Sequence, residues 1–268
     1  MNPFFWLEIR IRAREKRLWI IALFFLLSVF LFGGGILAIA VLSSSSDVVP
    51  GALGLGISST VLFWHGALMI VLAPLASAGR IAQEREQRTL PALINTPVNT
   101  WSIVRGKLWG SWTFILWLSA LILPFLSIGL VWGGIEFWRM AACMALNILV
   151  SLMFATVALG FSGLFGRSLT AYLVSGTFMI AWMVLLPILG SIGLALSDIV
   201  EWEGLQTFIS YLCLFNHPFF PIVMLVSEAY ELEPALTTFR IAYAIAVWCV
   251  VGGIGLLLAN RGLKREVY

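Results

Sequence analysis

Six stretches of this chain are apolar over roughly the 20 residues that a helix needs to cross the hydrocarbon of a bilayer. They cover about residues 18–42, 57–78, 109–132, 140–165, 169–196 and 239–259. Hydrophobic residues make up 61% of the chain and charged residues 11%, where a soluble domain carries about a quarter charged residues. A water-soluble fold of 268 residues cannot hide that much apolar surface, so lipid is the solvent for much of it. The expected fold is an all-α integral membrane protein, a single transmembrane domain over residues 1–268 with six transmembrane helices.

Charge sets the expected orientation. With the N-terminus inside, the inner segments hold 14 of the 16 Lys and Arg residues, and only Arg139 and Arg240 fall outside. Eight of the 13 acids fall outside: Asp47, Glu136, Asp198, Glu201, Glu203, Glu228, Glu231 and Glu233. The positive-inside rule strongly disfavours the reverse, and an odd number of spans spoils the separation. Both termini are therefore expected in the cytoplasm, with the chain multi-pass in the plasma (inner) membrane. The apolar run Leu18 to Leu42 is longer than a signal-peptide core of about 7–15 residues and reads as a retained first span.

Several chemistries are disfavoured. No charged residue lies near the middle of a span, whereas ion-coupled carriers use a buried ionisable group as a binding or relay site. His65 stands alone in the second span and reads as hydrogen-bonded to a neighbouring helix. Cys143, Cys213 and Cys249 match no metal-ligand spacing. Cys143 and Cys249 read as inert buried thiols, and Cys213 has no evident partner. There is no GxxxxGK[ST], HExxH or GxSxG motif, so no nucleotide hydrolysis is expected on this chain. No cofactor and no nucleic-acid partner are expected. Pro74, Pro124 and Pro187 predict kinks. Gly129…Gly133 and Gly160…Gly163…Gly166 predict close helix approach.

Three other intervals carry a pattern. Residues 1–17 place Phe4, Phe5, Leu7 and Ile11 at helical spacing among basic residues, which predicts an amphipathic helix lying on the inner leaflet among membrane lipids. Residues 197–238 hold two apolar runs too short to span, turned at His217-Pro218. They predict short re-entrant or interfacial helices before the last span, rimmed by Glu228, Glu231 and Glu233. Residues 79–108 form a cytoplasmic loop with a short helix on Leu90, Leu93 and Ile94, capped by Thr89 and opened by Pro91. Asn95-Thr96-Pro97 ends it. Its apolar stripe needs a cover, either the membrane surface or a soluble partner.

The loop pattern Glu84-Arg85-Glu86, Thr89-Leu90, Leu93, Thr96-Pro97, Ile103 and Gly106-Lys107 resembles the loop between the second and third spans of type-2 ABC exporter permeases. The six spans and the N-terminal Asn2-Pro3…Glu8-Ile9-Arg10…Arg17 are similar to that family too. The resemblance implies that Thr89 to Pro97 is a coupling helix docking on a cytoplasmic ABC ATPase, with Glu84 and Glu86 near its start. The implied coupling residues are thus Glu84, Glu86, Thr89, Leu90, Leu93, Thr96 and Pro97. It also implies a second permease subunit, identical or similar, and ATP and Mg held by the partner ATPase rather than by this chain. The alternative is a non-transporting membrane scaffold or assembly factor whose cytoplasmic loop binds another protein.

Overall fold

The computed structural model describes residues 16–43, 50–94, 99–200, 202–227 and 233–265. The expected amphipathic helix of residues 1–17 falls almost wholly outside them, as do Thr96, Pro97, Glu228 and Glu231. Every regular element among the described residues is a helix. In chain order these are α1 (Lys16–Ser43), α2 (Pro50–Ser77), the short α3 (Ala82–Glu86) and α4 (Leu90–Ile94), α5 (Thr100–Leu121), α6 (Leu123–Trp132) and α7 (Phe137–Leu164). Next come α8 (Ser168–Ile180), a π turn (Ala181–Leu185) and α9 (Leu186–Val200). The last are α10 (Glu203–Ile209), a second π turn (Ser210–Leu214), α11 (Phe220–Val226) and α12 (Pro234–Lys264).

Five helical stretches are long and apolar enough to cross a membrane: Gly51–Glu86, Thr100–Trp132, Phe137–Leu164, Ser168–Ser197 and Pro234–Lys264. They take in five of the six expected spans. For the first, α1 runs 28 residues, with a shorter apolar stretch at Trp19–Gly35. The predicted boundaries fall short elsewhere: α2 starts at Pro50, α5 at Thr100 and α12 at Pro234. The last part of the expected 79–108 loop, Thr100 to Lys107, thus forms the first two turns of α5.

The three predicted proline positions behave differently. Pro74 lies inside an unbroken α2. Pro124 opens α6 just after the helix is interrupted at Ile122. Pro187 follows a π turn, a common site of helix distortion.

At the centre stands α7. It lies against α12 through glycines, because lipid supplies no hydrophobic drive between helices and close packing must do the work. A Cβ on Gly160 would sit 2.6 Å from the carbonyl oxygen of Gly255, one on Gly163 2.9 Å from Cα of Ala259, and one on Gly262 2.2 Å from the carbonyl oxygen of Gly163. Gly129 meets Ser58 of α2 just as closely. Gly166, by contrast, has open space around it. The largest fully buried side chains, among them Trp248, Phe25, Phe154 and Met69, fill the space between α1, α2, α7 and α12. His65 is buried, and its Nε2 lies 3.1 Å from the hydroxyl of Ser119 on α5, the interhelical bond the sequence predicts. Asn147 of α7 donates its amide to the Leu62 carbonyl of α2 at 3.0 Å.

The cysteines are free. Cys143 and Cys213 are buried, and Cys213 sits where a Cβ on Gly190 would meet it at 2.6 Å. Cys249 is exposed, against the expectation of burial. It lies on the outer face of α12, next to the inward-facing Trp248.

The chain between α10 and α11 turns at His217-Pro218, as expected. The indole N–H groups of Trp182 and Trp248 both donate to the Asn216 carbonyl, at 3.1 and 3.3 Å. Both tryptophans lie near the middle of their long helices. Pro187 has no N–H to offer the Met183 carbonyl four residues earlier. His217 supplies one, its Nε2 donating to that carbonyl at 3.2 Å, while its Nδ1 accepts from the Phe219 backbone N–H at 3.3 Å.

Candidate functional site

The segment between α2 and α5 is built around one short helical turn. Neighbours on a helix point about 100° apart, so consecutive side chains of α3 face different neighbours. Glu84 reaches α5, where its Oε1 lies 2.5 Å from Nζ of Lys107. Lys107 is 4% exposed, and this acid is the counter-charge that makes burying the ammonium tolerable. Arg85 reaches the end of α7, its Nη1 donating to the Phe165 carbonyl at 2.5 Å and its Nη2 to the Gly163 carbonyl at 3.1 Å. These are carbonyls that a helix end leaves without internal partners, and a cation there meets the negative pole of the helix.

Glu86 reaches the start of α8. Its carboxylate accepts from the Ser168 backbone N–H at 2.9 Å and from the Ser168 hydroxyl at 2.7 Å. Those two bonds hold the Glu86 carboxyl below its ordinary titration range, and the nearby Arg167 adds to the effect. The start of α3 is tied as well. The Ser162 hydroxyl of α7 accepts from the backbone N–H groups of Ile81 and Ala82 at 2.9 and 3.0 Å.

After α3 the chain reverses in a Schellman turn. The Thr89 N–H bonds the Glu84 carbonyl at 2.9 Å and the Arg88 N–H bonds the Arg85 carbonyl at 3.1 Å. The residue between helices in this motif is left-handed and usually Gly. Here it is Arg88, at φ +57°. The Thr89 hydroxyl also donates back to the Glu84 carbonyl at 3.2 Å, and the Thr89 carbonyl accepts from the Leu93 N–H.

This turn lays α4 against the bundle. Leu90 is 1% exposed, in a cluster with Ile81, Ile103, Val104, Leu159, Ala259 and Leu263, and Leu93 packs on its edge. In the apolar stripe expected to need a membrane or a partner, Leu90 is thus covered and Leu93 partly covered by the ends of α5, α7 and α12. Facing away from the bundle are Gln87, Arg88, Thr89, Pro91 and Ala92, all exposed. The Asn99 side chain caps α5 by accepting from the Trp101 N–H at 3.1 Å. The Thr100 hydroxyl donates to Oδ1 of Asn260 on α12 at 2.8 Å.

Of the residues marked by sequence, Glu84, Glu86, Thr89, Leu90 and Leu93 come together here, and Thr96 and Pro97 lie outside the described residues. Sequence reading missed Ser162, Ser168 and Asn260, and gave Arg85 no task of its own. Small polar residues at span ends beside a charged loop are the signal that points to them. Among the described residues no cluster of His, Cys, Asp or Glu is suited to hold a metal ion. The arrangement is mechanical: an exposed surface on one side, and grips on α5, α7, α8 and α12 on the other.

No curated protein matches this chain. Residues 3–259, nearly its full length, match the family described as "ABC-2 family transporter protein". That family comprises membrane subunits of transporters that work with ABC ATPases and are generally non-catalytic themselves. This multi-pass helical chain therefore belongs to the ABC-2 transporter family.

Proposed function

We propose that the chain is the transmembrane permease subunit of an ATP-driven ABC exporter, forming the substrate path with a second permease and driven by separate cytoplasmic ATPase subunits. In this reading α1 is the sixth span, the termini are cytoplasmic, and the loop of α3 and α4 is the coupling element beneath the membrane. The observation that carries the reading is the triplet Glu84-Arg85-Glu86, whose three side chains hold three different long helices at one end of the bundle. Pressure on the exposed face at Gln87, Arg88, Thr89, Pro91 and Ala92 reaches four helices at once. The ATPase contacts that face. Leu90 and Glu84 transmit the load from inside the bundle, because one is buried and the other is paired with a buried lysine. ATP binding then shifts the bundle between two arrangements by as much as the ATPase's affinity differs between them. At the other end, the pair α10 and α11 is re-entrant, its His217-Pro218 tip reaching the middle of two spans.

The test is the ATPase activity of the reconstituted complex of permease and ATPase. Glu84→Lys with Glu86→Lys, or Leu90→Asn, is expected to abolish stimulation by the permease while membrane insertion and co-purification of the permease remain measurable. Unchanged stimulation in these variants sinks the coupling assignment, and a wild-type chain that retains no ABC ATPase on purification sinks the permease reading.

A further inference from the structure

At the basic end of the bundle some cations are committed. Lys107 faces Glu84 and Arg85 caps α7. Arg105 differs. It is exposed and has no ionic or hydrogen-bonding partner among the described residues. It sits on α5 between Trp101 and Trp109, one helical turn from each, so guanidinium and two indoles form a single stripe. The three line a cavity of about 490 Å³ together with Asn99 and Ser102. Trp109 is 45% exposed, its ring tilted against Trp112 with centroids 4.6 Å apart. Beyond it the same side of α5 carries Leu116, 39% exposed, and the exposed Ala120.

We propose that this cleft binds the phosphate headgroup of an anionic membrane lipid, with Arg105 on the phosphate, the Trp101 and Trp109 rings beside the glycerol region, and an acyl chain along Leu116 and Ala120. Three observations converge on that occupant. Arginine matches a phosphate through two parallel N–H bonds, which a hydrated lysine does not offer. Tryptophans settle at the headgroup level of a bilayer. The lane above the cation is apolar for several turns, which suits a ligand with a charged head and a hydrocarbon tail and does not suit free phosphate. Basic pockets on membrane helices are known lipid sites in general. The inference rests on the membrane placement proposed above and adds a specific lipid contact one helix away from the coupling loop.

Native mass spectrometry of the full-length permease in detergent tests it, with phosphatidylglycerol and phosphatidylcholine as probes. Phosphatidylglycerol is expected to bind preferentially. Arg105→Gln is expected to weaken it about fivefold, the worth of one surface cation against anionic lipid. Arg261→Gln, an exposed cation at the same end, is expected to leave binding unchanged, and inorganic phosphate is expected not to compete. Equal binding by Arg105→Gln, equal binding of the two lipids, or displacement by inorganic phosphate each overturns the proposal. A photo-crosslinking residue in place of Trp109 is expected to capture lipid, and capture of the chain's own residues 1–15 overturns it as well. Loss of lipid preference with ATPase coupling intact rejects this site alone. Loss of ATPase association with the preference intact rejects only the permease reading.

Discussion

The helices α7 and α8 follow one another through a short connection, yet they are built on opposite plans. In Phe137–Leu164, 67% of the most apolar window is buried within the chain, and in Ser168–Ser197 only 6% is. The first is unbroken and packed backbone to backbone on α12 through Gly160, Gly163, Gly255 and Gly262. The second is interrupted by a π turn and Pro187, and its stray carbonyl is served by His217, a residue 34 positions away. Close glycine packing leaves one arrangement available, because any shift drives backbone into backbone. A helix broken mid-span and held by a few long hydrogen bonds has more than one. Rigidity is therefore concentrated in α7 and α12, and freedom to move in α8 and α9 with α10 and α11. The α3 triplet joins the two plans, Arg85 gripping the end of α7 and Glu86 the start of α8.

The largest expected effect comes from breaking the rigid side. Gly160→Leu puts carbon against the Gly255 carbonyl, and overpacking of this kind destabilises by about 3 kcal/mol or more. Thermal unfolding in detergent is expected to show a large drop in midpoint, or no folded protein. Gly166→Leu, made where there is open space, is expected to change little. Equal tolerance at both positions removes the packing argument.

Next in size is Arg85→Ala, which leaves the Gly163 and Phe165 carbonyls without their charged donor. A hydrogen bond to a charged group contributes about 2 kcal/mol, and amide exchange at the end of α7 is expected to rise. On the mobile side, His217→Leu removes the donor that serves the Met183 carbonyl, at a cost of about 1 kcal/mol. The expected signature is local: faster exchange across residues 181–188 with α7 unaffected. If exchange rises equally in both helices, the contrast between them fails.

The smallest effect is a pH dependence at Glu86. Its folded-state pKa is depressed, so its grip on Ser168 is fully present above the ordinary glutamate value of about 4.3 and is lost as pH falls through the lower folded value. Glu86→Gln is expected to loosen the start of α8 by the same amount from neutral pH down to about pH 5. The difference from the parent is expected to close only in stronger acid, as read by proteolysis at residues 86–88. A difference that closes near neutral pH contradicts the capping geometry.

Hydropathy and charge are local properties, so five spans and the helical start of the loop at Leu90 were legible in sequence. So was the close approach at Gly160 and Gly163, since small residues in apolar runs have few other uses. Gly166 fits the same pattern and packs on nothing, because spacing does not say which helix lies opposite. The inward seat of Leu90 was illegible for a similar reason. A short amphipathic helix reads the same whether its apolar face meets a partner or the ends of its own bundle. Cys249 faces outward although it lies in an apolar run, as lipid makes the surface of such a helix as apolar as its core. The service of Met183 by His217, and of Gly163 and Phe165 by Arg85, joins positions far apart in sequence. Such pairings follow from the packing and have no signature in either segment.

The left-handed Arg88 has a consequence for how this family member can vary. A residue with a side chain in that conformation costs about 1 kcal/mol that glycine does not. Arg88→Gly is expected to tighten the turn rather than loosen it, so the backbone geometry gives no reason for arginine there. Its guanidinium stands exposed at the tip of the reversal, between an α3 bound to its own chain and an α4 that turns its outer side away. Turn stability favours glycine at this position, and arginine instead puts a cation on the exposed tip of the loop.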